Sequence, residues 1–242
     1  VFLNLLTLIF YHKRKYYLFI LCIAAYFLWY GMTGHKSFAL YPFFSILIYE
    51  LLSRKNYRST LINSLSILIL TLIILDLFIF NNPILTSNFT RRVFFIPANV
   101  SFKYIEFFEN NDFIFWSNSF LSFLIDYSYN LTPAKLIGNY MGDNTMVANN
   151  SYMSTGFMHA GLFGIIFYNF IVVYILKLID MKFDKINNNK DFKSYKVLLA
   201  FISLPIFQLF TSSDLFTTLL THGLGISILI YSFYPIKKIK LW

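Results

Sequence analysis

Between Thr60 and Phe80 the chain carries a single charged side chain, Asp76. A helix of that length rises about 30 Å at 1.5 Å per residue, which matches the hydrocarbon thickness of a bilayer. Comparable apolar segments recur at roughly Val1–Tyr11, Tyr16–Met32, Ser37–Leu52, Gly156–Leu176, Tyr195–Thr211 and Leu215–Tyr234, each bounded by charged or turn residues. The second and third are short for full spans. The first starts at Val1 in mid-span with no charged leader ahead of it, so further N-terminal spans are expected before it. Composition agrees: 57% of residues are hydrophobic and 13% charged, with a mean hydropathy of +0.61, whereas a soluble domain carries about a quarter charged residues. The expected fold is all-α, a polytopic helical membrane protein of about seven spans with one large external loop containing an amphipathic helix.

A net charge of +9 would suggest nucleic acid as the partner of a soluble protein. Here topology accounts for it, and no nucleic acid is expected. Lys13, Arg14 and Lys15 follow the first span, Arg54, Lys55 and Arg58 the third, six lysines from Lys177 to Lys196 the fifth, and Lys237, Lys238 and Lys240 the last. The intervening connections carry only Lys36, then Arg91, Arg92, Lys103 and Lys135, then none. The positive-inside rule makes the first group cytoplasmic. The C-terminus is then cytoplasmic and the stretch from Asn81 to Gly156 external. The chain divides accordingly into N-terminal spans (1–80), a large external loop (81–156) and C-terminal spans (157–242).

Several local readings follow. Pro97 suits the first turn of a helix, and Val100, Tyr104, Phe107 and Phe108 form an apolar stripe opposite Asn99, Lys103, Glu106 and Asn110. This predicts an amphipathic helix on the outer surface or capping the bundle. The aromatic stretch Phe113–Ile125 is read as re-entering the interface, and Tyr127–Ser154 as ordered loop. Gly156, Ala160 and Gly164 give the fifth span a small-residue face suited to close helix contact. Asp214, after two serines, is placed to cap the last helix. Cys22 lies in an apolar run and is read as a small buried hydrophobe, which leaves no disulfide framework.

Two adjacent arginines, Arg91 and Arg92, stand on the side otherwise poor in positive charge. They either snorkel to lipid phosphates or grip a phosphate ligand through their planar forks. Glu106, Glu109, Asp112, Asp126 and Asp143 are loop carboxylates, none singled out as a base. His159, about one turn into the fifth span, and His222, deeper in the last, are ionisable groups within apolar helices, which makes each a functional candidate. No metal-ligand cluster, phosphate-binding glycine loop or nucleophile elbow occurs, and no metal or cofactor is expected.

The phrase from Thr90 to Ala98, followed by Tyr104, Phe107-Phe108, Trp116-Ser117, Ile137-Gly138, Ala148-Asn149-Asn150, Gly156-Phe157 and Ala160 to Gly164, resembles the bacterial O-antigen and capsule repeat-unit polymerases (Wzy-type) across roughly residues 91–164. The resemblance implies a multi-pass protein of the bacterial cytoplasmic membrane that joins oligosaccharide units carried on undecaprenyl diphosphate at the outer face. Arg91 and Arg92 would hold the diphosphate. Asn149, Asn150 and Tyr152 would contact sugar or phosphate oxygens, with Tyr104, Glu106 and Trp116 beside them in the substrate site. His159 or a loop carboxylate would orient the attacking hydroxyl. Implied partners are the lipid-linked oligosaccharide, the bilayer, a flippase and a chain-length regulator. An O-antigen ligase, a lipid-linked oligosaccharide flippase and a noncatalytic scaffold are the alternatives.

Overall fold

The computed structural model describes residues 2–34, 36–54, 56–119, 121–187 and 192–233, and the side chains of these except at 36, 184–187 and 192–194. Lys55, Lys190, Lys237, Lys238 and Lys240 of the charge pattern lie outside it. All regular structure among the described residues is helical. The elements are α1 (Phe2–His12), α2 (Tyr16–Thr33), α3 (Lys36–Leu52), α4 (Tyr57–Leu75, continued by a π turn Asp76–Phe80), α5 (Ile84–Thr90), a second π turn (Arg91–Phe95), α6 (Ile96–Glu109), α7 (Pro133–Tyr140), α8 (Tyr152–Asn187), α9 (Phe192–Thr211), α10 (Leu215–Leu220) and α11 (Leu224–Phe233).

Among the described residues three helical stretches are long and apolar enough to cross a membrane: Tyr16–Thr33, Tyr57–Phe80 and Tyr152–Phe183. Four shorter apolar helices, Phe2–His12, Ser37–Leu52, Tyr195–Thr211 and Leu224–Phe233, occupy the other expected spans. The last differs from the sequence reading. Instead of one helix from Leu215 to Tyr234 there are two short ones, because Gly223 takes a left-handed φ of 82° and interrupts the ladder. His222 sits in that break.

The chain forms two compact units, one of residues 1–64, 177–207 and 219–242 and the other of 65–176 and 208–218. In the first, fully buried Leu8 packs with Val197, Ala200 and Phe201. Tyr11 donates to Glu50 Oε1 (2.8 Å), and His12 Nδ1 meets the Tyr49 hydroxyl (2.7 Å). Lys182 donates to the carbonyls of Tyr231 and Ser232 at the C-terminal end of α11, where the helix dipole favours a cation. Cys22 is buried, as its apolar context predicts.

The second unit has its own core, built where the sequence predicts a surface helix and loop. Val100, Tyr104 and Phe108 repeat every four residues along α6, so they share one face, and all three are buried with Ile114, Ile137, Ala148, Phe157 and Met158. The predicted stripe is correct, but it packs on a folded segment. The loop reading of Tyr127–Ser154 misses α7, which begins with Thr132 before Pro133 at the first helical position. Its single fully buried side chain, Ile137, gives too short a pattern to show a period. Residues 115–119 and 121–124 form turns, with Phe115 and Trp116 in the left-handed region (φ 47° and 60°) and Phe123 and Leu124 exposed; Phe120 of the predicted aromatic stretch lies outside the described residues.

The small-residue stripe works differently from the sequence reading. Ala160 (φ −155°, ψ 34°) and Gly161 (φ 59°, ψ −141°) are non-helical, so α8 is two helices joined at a sharp bend. In a straight helix Gly156 and Gly164 would be about 12 Å apart. Here a Cβ on Gly164 would lie 2.0 Å from the Gly156 carbonyl oxygen, and one on Gly156 would lie 3.2 Å from the Tyr168 ring. The glycines therefore close the two halves of α8 against each other, a contact within the helix rather than a face offered to a neighbour. Gly164→Ala forces the halves apart and is expected to cost about 1–3 kcal/mol, the usual penalty of overpacking. Thermal unfolding of the purified protein in lipid nanodiscs reads it directly. An unchanged transition would mean that the bend does not carry the fold.

Candidate functional site

Helix α5, the π turn at Arg91–Phe95 and α6 form one unbroken helical run from Ile84 to Glu109. A proline inside a helix has no N–H to donate and crowds the carbonyl four residues back. Widening the turn just before Pro97 relieves this: Ile96 N–H reaches the Arg91 carbonyl, a five-residue step. Pro97 thus lies in the first turn of α6, as its sequence position predicts, with the π turn and α5 continuing the run on its N-terminal side.

Arg91 and Arg92 occupy the widened turn, and both are exposed. Among the described residues no hydrogen bond or ion pair engages either guanidinium. The next three residues, Val93, Phe94 and Phe95, are 48%, 61% and 67% exposed. Two free cations followed by three bare apolar side chains suit a ligand with an anionic head and an apolar tail.

Asp76 fixes where this run begins. It lies near the end of the apolar helical stretch Tyr57–Phe80, is 4% exposed, and accepts the backbone N–H groups of Leu85 (2.9 Å) and Thr86 (2.8 Å) together with the Thr86 hydroxyl. A lone acid in an apolar span is explained by this capping of α5, whose first-turn amides have no partner within the helix. Asn81, in the left-handed region at φ 51°, ends the preceding π turn and reverses the chain. Between the end of α4 and the start of α5 lies a cavity of about 470 Å³.

His159 belongs to a second, enclosed cluster. The bend after it frees the carbonyls of Met158 and His159, which accept the N–H groups of Ile114 and Phe115 (3.1 Å each). The left-handed Phe115–Trp116 pair then turns the Trp116 backbone N–H onto His159 Nδ1 (3.1 Å) and stacks the indole on the imidazole, with centroids 5.0 Å apart and planes 17° apart. Because Nδ1 accepts, the neutral ring carries its proton on Nε2, as its bonding partners assign it. Nε2 faces Asp214 Oδ1 at 3.4 Å, an ion-pair distance outside hydrogen-bond geometry.

Asp214 also accepts the Tyr168 hydroxyl (2.8 Å) and caps α10 through Phe216 N–H (2.9 Å) and Thr217 N–H (3.3 Å), and Tyr168 in turn accepts Trp116 Nε1–H (2.8 Å). The cap is the one its position after Ser212-Ser213 predicts. Burial opposes ionisation of Asp214, but the facing imidazole, the Tyr168 hydroxyl and the Thr217 amide outweigh it and hold the carboxyl below its usual range. With His159 at 1% exposure, the cluster ties together the 114–117 loop, the α8 bend and the turn after α9. It is a latch rather than an open base.

The other predicted site residues separate. Tyr104 is buried and donates to the Ala148 carbonyl (3.0 Å). Asn150 is buried and donates to Ser101 Oγ (2.8 Å), and Tyr152 donates to Asn169 Oδ1 (3.0 Å). These three turn their polar atoms inward and shape the unit. Asn149 is exposed. Glu106 is exposed, pairing with Lys103 (2.7 Å) and accepting the Tyr140 hydroxyl (2.6 Å); the lysine first, then the phenol, hold its carboxyl below the usual range. His159 and Trp116 meet, Arg91 and Arg92 adjoin each other, and no contact recorded among the described residues joins the two sets. Tyr168, the bridge of the enclosed cluster, is absent from the sequence reading. Its spacing from Trp116, His159 and Asp214 follows no period, so nothing in the chain's order links them.

The chain matches no family model, no curated protein and no solved structure.

Proposed function

We propose that this protein is a membrane glycan polymerase, joining undecaprenyl-diphosphate-linked oligosaccharide units at the outer face of a bacterial cytoplasmic membrane, with the short apolar helices completing a multi-pass bundle. The observation that carries the reading is the unpaired, exposed Arg91–Arg92 turn with Val93, Phe94 and Phe95 bare beside it. A planar guanidinium bonds two phosphate oxygens at once, and the apolar neighbours suit a polyprenyl chain. The positive-inside count, which puts this turn outside, and the resemblance over residues 91–164 support it.

In the reaction, an acceptor hydroxyl oxygen bonds to the anomeric carbon of the donor glycan as the bond from that carbon to the diphosphate breaks. The hydroxyl proton passes to water. Negative charge grows on the departing diphosphate, and the arginines stabilise it where it develops. Asn149 and Glu106 are exposed enough to meet sugar hydroxyls. His159, enclosed, is a positioning residue that holds the 114–117 loop against α8. A transporter would need a free charge near the midplane, whereas Asp76, the acid of the fourth span, is committed to capping α5.

Deleting the gene in its source strain and separating the surface glycan by size tests the proposal. Collapse of the ladder to single repeats, restored by the intact gene, is the expected result. A full-length ladder that never reaches its lipid anchor would instead assign a ligase, and lipid-linked units held on the cytoplasmic face a flippase.

A further inference from the structure

The cavity at the end of α4 has chemistry different from the arginine turn. Its walls are Ile73 and Leu77 from the span, Pro83, and a polar side made of Asp76, Asn81, Asn82 and Thr86. At about 470 Å³ it falls within the usual size of small-ligand sites. Among the described residues no basic side chain lines it, so an anion meets no cation there. Neither Asn81 nor Asn82 has a side-chain hydrogen bond among the described residues, which leaves each carboxamide with two donors and an acceptor to offer. Asp76 accepts three hydrogen bonds, two on Oδ2 and one on Oδ1. A carboxylate has about four acceptor positions, which leaves one on Oδ1. Exposed donors and acceptors with no protein partner among the described residues, beside an aliphatic wall, match a neutral polyol ring, with hydroxyls on its edge and C–H groups on its face.

Position adds to the match. Thr86 in the cavity wall and Arg91 lie on the same helical run, five residues apart, about 7.5 Å along the axis and roughly 140° around it, so the cavity and the arginine turn are neighbouring features of one element. Resting on the lipid-diphosphate reading of the arginine pair, we propose that this cavity binds the first sugar of the lipid-linked glycan, the ring attached directly to the diphosphate, through Asn81, Asn82 and Asp76.

The test compares two probes on the full chain in lipid nanodiscs: undecaprenyl diphosphate alone, and undecaprenyl diphosphate carrying one N-acetylhexosamine. The unaltered protein binds the sugar-bearing lipid about tenfold more tightly, the gain from one or two added hydrogen bonds. Asn81→Gly combined with Asn82→Ala removes both carboxamides while keeping the left-handed turn, since glycine accepts a positive φ. In it the tenfold preference vanishes and affinity for the sugar-free lipid stays as it was. Asn82→Leu, of similar volume but without the amide, weakens the preference likewise and guards against a folding defect in the double variant. Equal affinities in the unaltered protein, or a preference that survives both variants, overturns the cavity assignment and leaves the arginine reading intact. If neither lipid binds, the diphosphate reading fails and the cavity assignment falls with it.

Discussion

With Arg91 and Arg92 both replaced by alanine, glycan polymerisation is expected to fall by about 10²–10³-fold or more, the range seen when a preorganised donor to developing negative charge is removed. Protein abundance should stay near normal. Both side chains are exposed and make no hydrogen bond or ion pair among the described residues, so the fold loses little with them. That combination is diagnostic, because most deleterious substitutions act through stability. Arg→Lys at both positions keeps the charge and loses the planar fork, so an intermediate deficit is expected if bidentate phosphate contact matters. The readout is the glycan ladder together with the amount of protein in the membrane. A normal ladder from the double alanine variant would remove the arginines from the chemistry and reduce them to interfacial anchors.

The largest expected effect on stability lies at Asp214. Its carboxylate accepts the Tyr168 hydroxyl and two backbone amides and faces His159 at 3.4 Å. Asp214→Ala leaves those donors without their acceptor in a largely enclosed site, and each buried donor left unsatisfied costs about 1–3 kcal/mol. Asp214→Asn keeps the shape and one acceptor oxygen, so its penalty is smaller. Acid sensitivity follows from the same contacts. The folded carboxyl is held below its usual range, so its contribution is complete above the unfolded value of about 3.9 and is lost as pH falls from there through the folded value. Melting temperatures in nanodiscs, taken from neutral pH to about pH 3, should fall for the unaltered protein over that window, and by less for Asp214→Asn. If Asp214→Ala melts with the unaltered protein, the latch is dispensable.

Much of the architecture was legible because its causes are local. Thr60–Phe80 reads as a span from length and polarity alone, and the buried face of α6 follows from Val100, Tyr104 and Phe108 recurring every four residues. The cap at Asp214 is local as well. Failures came where the cause is distant. Gly156, Ala160 and Gly164 read as a stripe for a neighbouring helix, since the sequence does not show that Gly161 adopts φ 59° and folds α8 on itself. Helix α7 stayed hidden because Ile137 gains its burial from α6 and α8 residues remote in the chain. Three predicted substrate contacts, Tyr104, Asn150 and Tyr152, have residue types suited to sugars, but the fold spends their polar atoms on Ala148, Ser101 and Asn169.

By itself, then, the sequence determined an all-helical protein with helices of membrane-spanning length, and it singled out the arginine pair by its charge alone, since hydropathy, periodicity and charge act over a few residues and need no partner. The tertiary structure decided which candidates can face a ligand. His159 is turned inward because Trp116, Tyr168 and Asp214 converge on it from three separate segments. Arg91 and Arg92 are exposed, and among the described residues no carboxylate pairs with either of them. Convergence of that kind is set by a helix bend and two left-handed residues, Phe115 and Trp116, whose effect depends on what lies across the fold.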